Sequence, residues 1–177
     1  ALVLRAVDGS RAPELLFVKR AEYAGDPWSG HVAFPGGRRE PGDTTLWETA
    51  ARETHEETGL DLRAAGLLLG TLDDLYPRTP TLPPIVVRPH VVVVPGDAAR
   101  APLALSAELA AAFWVPLTRF AEPGVDVESR VRARDLWLRV PSFVHEGHTI
   151  WGMTERILRQ LLARWGEGPT GRTARGR

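Results

Sequence analysis

The stretch Gly36-Gly37-Arg38-Arg39-Glu40-Pro41-Gly42-Asp43, followed by Arg52-Glu53-Thr54-His55-Glu56-Glu57-Thr58-Gly59-Leu60, decides how this chain is read. A glycine-rich loop leads into a short helix on which Glu53, Glu56 and Glu57 share one side, since an α-helix turns about 100° per residue and the three fall within roughly 100° of arc. Like charges at i and i+4 destabilise a helix unless a cation sits between them. A divalent ion meets that need, and hard carboxylate oxygens suit Mg²⁺ or Mn²⁺.

The helix has readable ends. Thr45-Leu46-Trp47-Glu48 has the Thr-x-x-Glu pattern of a capping box, which places its start. Gly59 stands where a left-handed C-cap is wanted. Glu48 and Arg52 are spaced for a favourable i, i+4 pair. Leu46, Trp47, Ala50, Ala51 and Thr54 form a stripe about 140° wide beside the acidic side, so the helix can pack on a sheet and still present its carboxylates at the rim of a cleft.

Composition bounds the rest. A chain of 177 residues is long enough for one domain with a proper core and short for two. Lys plus Arg equals Asp plus Glu at 22 each, so no global field advertises a nucleic-acid or membrane partner, and anion binding must come from a local site. The absence of cysteine excludes disulfides, zinc–thiolate sites and cysteine nucleophiles. No apolar run reaches membrane-spanning length and no leader pattern opens the chain, so a cytoplasmic location is expected.

Along the chain, Ala1–Val7 and Glu14–Lys19 read as strands around the turn Asp8-Gly9-Ser10, and His31–Phe34 as a short strand after a loop over residues 24–30. Leu67–Leu72 and Ile85–Val94 read as strands separated by a proline-rich loop over Tyr76–Pro84, with Pro89 implying an edge position or a bulge. Residues 106–112 read as a turn of helix, Phe113–Val115 and residues 136–144 as strands, and Ile150–Trp165 as an amphipathic helix. Residues 1–165 are expected to be a single domain, and the Gly/Arg-rich tail 166–177 to be disordered by composition. Strands alternating with two packed helices point to a layered α/β fold with a mixed sheet.

At this point the residues resemble the Nudix hydrolases, whose box reads Gly, five residues, Glu, seven residues, then Arg-Glu-aliphatic-x-Glu-Glu-x-Gly-aliphatic. The chain matches at Gly37, Arg52, Glu53, Glu56, Glu57, Gly59 and Leu60. It departs in three ways: Asp43 stands for the first Glu, one extra residue precedes Arg52, and Thr54 replaces the aliphatic. The resemblance implies a Nudix-type α/β/α sandwich with a central mixed β-sheet. It also implies hydrolysis of a nucleoside diphosphate linked to a moiety X, with Glu56, Glu57 and the Gly37 carbonyl holding Mg²⁺ or Mn²⁺. Glu53 either ligates metal or accepts the water's proton, and Arg52 orients a glutamate.

Residues 15–37, Leu82–Val87, Phe113–Leu117 and Ile150–Thr154 are similar to the coenzyme A pyrophosphatase branch, which also carries an extra residue before the box helix. Coenzyme A would then be cleaved to 3′,5′-ADP and 4′-phosphopantetheine. Lys19-Arg20-Ala21 stands where the branch has x-Arg-Ser, and no Leu-Arg pair precedes Gly30. Other Nudix substrates (ADP-ribose, dinucleoside polyphosphates, nucleoside triphosphates) and a non-catalytic nucleotide-binding module are the competing readings. Isomerases sharing the fold use a cysteine absent here. Arg38 and Arg39 are candidates for phosphate oxygens against a reading as solvated loop arginines, and Glu108 for a further metal ligand or base against a helix-surface glutamate. Asp73, Asp74, His31, His90, His148, Trp114 and Trp151 read as structural. The partner expected is a small nucleotide, with neither nucleic acid nor membrane; a homodimer is compatible with the sequence.

Overall fold

The structure, a computed structural model, describes residues 1–7, 9, 12–23, 29–76, 85–133 and 136–166. The turn at 8–10, the loop over 24–30, the proline-rich stretch and the Gly/Arg-rich tail lie wholly or largely outside the described residues.

Apolar side chains in the first strands bury both faces, so these strands must lie between two layers. Strand β1 (Leu2–Arg5) and strand β2 (Glu14–Arg20) form an antiparallel pair. Leu2, Leu4, Leu15 and Phe17 enter one core, while the alternate residues Val3 and Leu16 enter another. The remaining strands of the sheet are β3 (Val32–Ala33), β4 (Leu67–Thr71), β5 (His90–Val94) and β6 (Leu109–Pro116). Their order is β3-β2-β1-β5-β4, with β6 on the other edge of β2. The β1–β5 pair is parallel and the others antiparallel, which makes the sheet mixed, as expected.

Helix α1 (Leu46–Thr58) and the short α2 (Leu62–Ala65) cover the face that carries Val3, Leu16, Val92 and Val94. The opposite face receives helix α4 (Gly152–Gly166) through Ile157, Leu158 and Leu161. It also receives a second sheet of β7 (Asp126–Ala133), β8 (Leu136–His145) and β9 (His148–Trp151) through Phe143 and Ile150. A short α3 (Gly96–Arg100) and a 3₁₀ turn, Leu117–Ala121, complete the described elements. The result is the expected α/β/α layering with an added three-stranded sheet. Among the described residues, no helix is long and apolar enough to cross a membrane.

Four local expectations are corrected. The Ile85–Val94 run is a strand only from His90, because Pro89 has no N–H for a ladder. That strand lies inside the sheet rather than at its edge, and the irregularity falls in β4, between Leu68 and Gly70. Residues 106–112 contain no helix: the chain turns at Ala107-Glu108 and then pairs with β2, Lys19 opposite Ala111 and Val18 opposite Ala112. The last helix begins at Gly152 rather than Ile150; Ile150 and Trp151 close β9, and Gly152 at φ +68° breaks the strand.

Candidate active site

Helix α1 is fixed at both ends as its sequence directs. Thr45 and Glu48 make the reciprocal capping box, and Gly59 sits at φ +74° with its N–H donating to the His55 carbonyl. Ala50, Ala51 and Thr54 are buried against the sheet, with Leu46 and Trp47 half-buried. The Thr54 hydroxyl donates to the Ala50 carbonyl at 2.7 Å, which lets a polar residue fill the position where an aliphatic was expected.

Arg52 organises the acidic side. Its Nε donates to Asp43 Oδ1 at 3.1 Å and its Nη2 to Asp43 Oδ2 at 3.0 Å, a two-pronged charge-assisted pair. The same guanidinium reaches Glu53 Oε1 at 3.1 Å, Glu56 Oε2 at 2.9 Å and the Arg38 carbonyl at 3.1 Å. The expected Glu48–Arg52 pair does not form: Glu48 turns back to Thr44 and Thr45, and Arg52 is taken up by Asp43. Asp43 is buried and also accepts from the Thr49 hydroxyl at 3.0 Å and the Glu40 N–H at 2.9 Å. These bonds, led by Arg52, hold its carboxyl well below the usual range.

The glutamates differ in setting. Glu56 is exposed, Glu53 is largely covered, and Glu57 is buried with its Oε2 accepting the Gly36 N–H at 3.0 Å. Burial pushes the Glu57 carboxyl up to about 7, against the opposing Gly36 hydrogen bond and with help from the Glu53 charge. Burial also raises Glu53, against the pull of Arg52. Gly36 can donate from where it sits because it adopts φ +147°, which residues with a Cβ rarely reach. At Gly37 a Cβ would lie 2.4 Å from the Glu53 carboxylate, so the loop passes directly over that group.

As held here, no three acidic or histidine side chains among the described residues stand in metal-ligand geometry. Arg52 draws Glu53 and Glu56 to itself, and Gly36 holds Glu57. The donor set nevertheless fits a hard divalent ion. The Glu53 charge disfavours ionisation of Glu57, and the side-chain-free loop at Gly37 lies directly against the Glu53 carboxylate.

The flanking candidates are placed as follows. The Arg39 guanidinium donates to the carbonyls of Asp43 and Thr44 and braces the loop, while Arg38 is exposed with its carbonyl held by Arg52. Glu108 is exposed on the turn before β6, not on a helix. That turn reaches the site: Ser106 N–H donates to the Glu57 carbonyl at 3.0 Å and Ala104 N–H to Thr58 at 2.8 Å. Glu108's own carbonyl accepts from Ala21, next to Arg20, whose charge lowers Glu57. The sequence assigned no site role to Thr49, Arg20, Ser106 or the Gly36 N–H. Only the glycine doublet carried a local signal; Thr49 meets Asp43 because the loop folds back on the start of α1, and Ser106 and Arg20 come near from distant parts of the chain. Asp73 and Asp74 pair with Arg164 and Arg88, Trp114 lies under Arg5, and Trp151 packs on His31.

This arrangement places an acidic helix, an internal arginine and a glycine loop on an α/β/α sandwich. The NUDIX domain family matches residues 1–135, and the chain belongs to that family. A probable nudix hydrolase of Schizosaccharomyces pombe is 31% identical over 172 residues, covering 92% of this chain and 54% of its own length. An uncharacterized Nudix hydrolase, NudL, of Cronobacter sakazakii is 32% identical over 173 residues, covering 96% of this chain and 84% of its own. The chain thus spans about half of the first relative and most of the second. In fold it is similar to a C. elegans Ap4A hydrolase in a binary complex, with TM-score 0.60, 17% identity and coverage of 94% of this chain and 95% of that one. It is also similar to a MutT/nudix family protein of Enterococcus faecalis, with TM-score 0.55, 17% identity and coverage of 94% and 60%.

Proposed function

We propose that the chain hydrolyses the pyrophosphate linkage of a nucleoside diphosphate-X substrate, and that this substrate is coenzyme A or a derivative, released as 3′,5′-ADP and 4′-phosphopantetheine. The observation that carries the reaction class is the meeting of Asp43, Glu53 and Glu56 on one guanidinium beside the buried Glu57. The substrate rests on the branch-like segments: residues 15–37, the extra residue before α1, and Ile150–Thr154.

Glu53, Glu56, Glu57 and the Gly37 carbonyl would hold Mg²⁺ or Mn²⁺. When bound, such an ion offsets the charge of the pyrophosphate oxygens and makes water a better nucleophile. The chain's own residues do the rest. Arg52, anchored by Asp43, fixes the directions of the Glu53 and Glu56 carboxylates. Glu53, raised by burial yet held by Arg52, would accept a proton from the attacking water or complete the ligand set. Glu57 changes charge near neutral pH unless a cation holds it ionised. Arg38, exposed on the box loop, would meet substrate phosphate oxygens; Arg39 would first have to release two carbonyls.

A hydrolysis panel with Mg²⁺ or Mn²⁺, products identified by mass spectrometry, tests the reading. Coenzyme A should be cleaved faster than ADP-ribose, dinucleoside polyphosphates or nucleoside triphosphates. Preference for one of those moves the substrate and keeps the class; tight nucleotide binding with no product points to a non-catalytic module.

A further inference from the structure

Strand β7 is one of the two outer strands of the three-stranded sheet, and its register with β8 runs without a shift from Asp126 opposite Phe143 to Ala133 opposite Leu136. Outer strands are ordinarily blunted by shortness, proline or a bulge, because their backbone groups invite another strand. At eight residues β7 is longer than the usual strand, contains no proline and is regularly paired. Its side chains alternate: Asp126, Glu128, Arg130 and Arg132 are exposed on one face, while Val127 and Ser129 are half-buried and Val131 buried on the other.

The sequence of this edge is complementary to itself. Reading outward from Ser129 in Asp126-Val127-Glu128-Ser129-Arg130-Val131-Arg132, each acid on one side matches a base on the other, and valine matches valine. We propose that β7 pairs antiparallel with β7 of a second copy about a two-fold axis at Ser129, joining the two small sheets into one of six strands. Glu128 then lies opposite Arg130 of the second copy, Asp126 opposite Arg132, and Val127 opposite Val131, each pair occurring twice by symmetry. Directly opposed unlike charges stabilise an antiparallel pair and like charges destabilise it. Moving the axis by one residue sets Glu128 or Arg130 against its own copy, so the register is selected as well as permitted. Asp126 keeps its bidentate bond to Arg159 and has lone pairs left for a second cation.

Sedimentation velocity on the wild type and two single variants tests this. Wild type should run at twice the chain mass. Glu128→Arg places arginine opposite arginine and Arg130→Glu places glutamate opposite glutamate, so each variant alone should be monomeric with an unchanged circular dichroism spectrum. Mixed at equal amounts, the two should restore a dimer, which loss of folding could not produce. A monomeric wild type, variants that remain dimeric, or a mixture that stays monomeric would each overturn the proposal.

Discussion

Asp43 and Arg52 meet through two parallel hydrogen bonds, Nε to Oδ1 at 3.1 Å and Nη2 to Oδ2 at 3.0 Å, and this pair aims the guanidinium at Glu53 and Glu56. The aspartate stands where the box ordinarily has glutamate, and its shorter side chain reaches because the loop folds back, with Asp43 N–H on the Glu40 carbonyl at 3.0 Å. Asp43→Asn keeps the shape and removes the charge. It should lower kcat roughly tenfold to a hundredfold while the far-ultraviolet circular dichroism is unchanged, by analogy with other groups that orient catalytic side chains.

Arg52→Lys offers a test of geometry against charge. Lysine keeps one positive charge but presents no planar fork, so it cannot serve Asp43, Glu53 and Glu56 together. Steady-state kinetics should show a fall in kcat on the order of a hundredfold or more. Activity within a few-fold of wild type would mean that net charge suffices.

Glu57 gives a pH-dependent stability. Its carboxyl titrates at about 7 in the fold against 4.5 in an open chain. Ionised Glu57 is therefore disfavoured by folding: the cost is absent below pH 4.5 and complete above pH 7. In divalent-free buffer, Glu57→Gln should be more stable than wild type above pH 7 by on the order of 1–3 kcal/mol, and so should melt higher. The difference should shrink to nothing as pH falls toward 4.5. Asp43, held low, stays ionised throughout this window and adds no slope. A pH-independent difference in Tm would contradict the assignment.

Gly37→Ala tests the loop over Glu53. The added Cβ would sit 2.4 Å from that carboxylate, so Glu53 must move or the loop must lift. Turnover should fall at least tenfold with little change in KM, as expected when a reacting group is displaced.

Much of this site was legible because its signals are local. The capping box, the closing Gly59 and the acidic spacing all lie within one helix, and the helix forms where they place it. What could not be read depends on partners far along the chain. SAELAAA carries helix-forming alanines, yet Ala111 and Ala112 become strand because β2 offers a free edge. The Glu48–Arg52 spacing is correct for a helix pair but loses to Asp43, which only the fold of the loop brings near. Strand β7 escaped notice because its alternation of charges and valines is too polar to stand out as a buried strand.

The most direct measurement is the hydrolysis of coenzyme A by wild type and Glu57→Gln side by side, with Mg²⁺ or Mn²⁺ supplied, chelator controls, and products resolved by mass spectrometry. The account predicts metal-dependent release of 3′,5′-ADP and 4′-phosphopantetheine by wild type, and turnover lower by orders of magnitude in the folded variant. Equal activity in the two proteins, or wild-type activity that survives chelation, would contradict it.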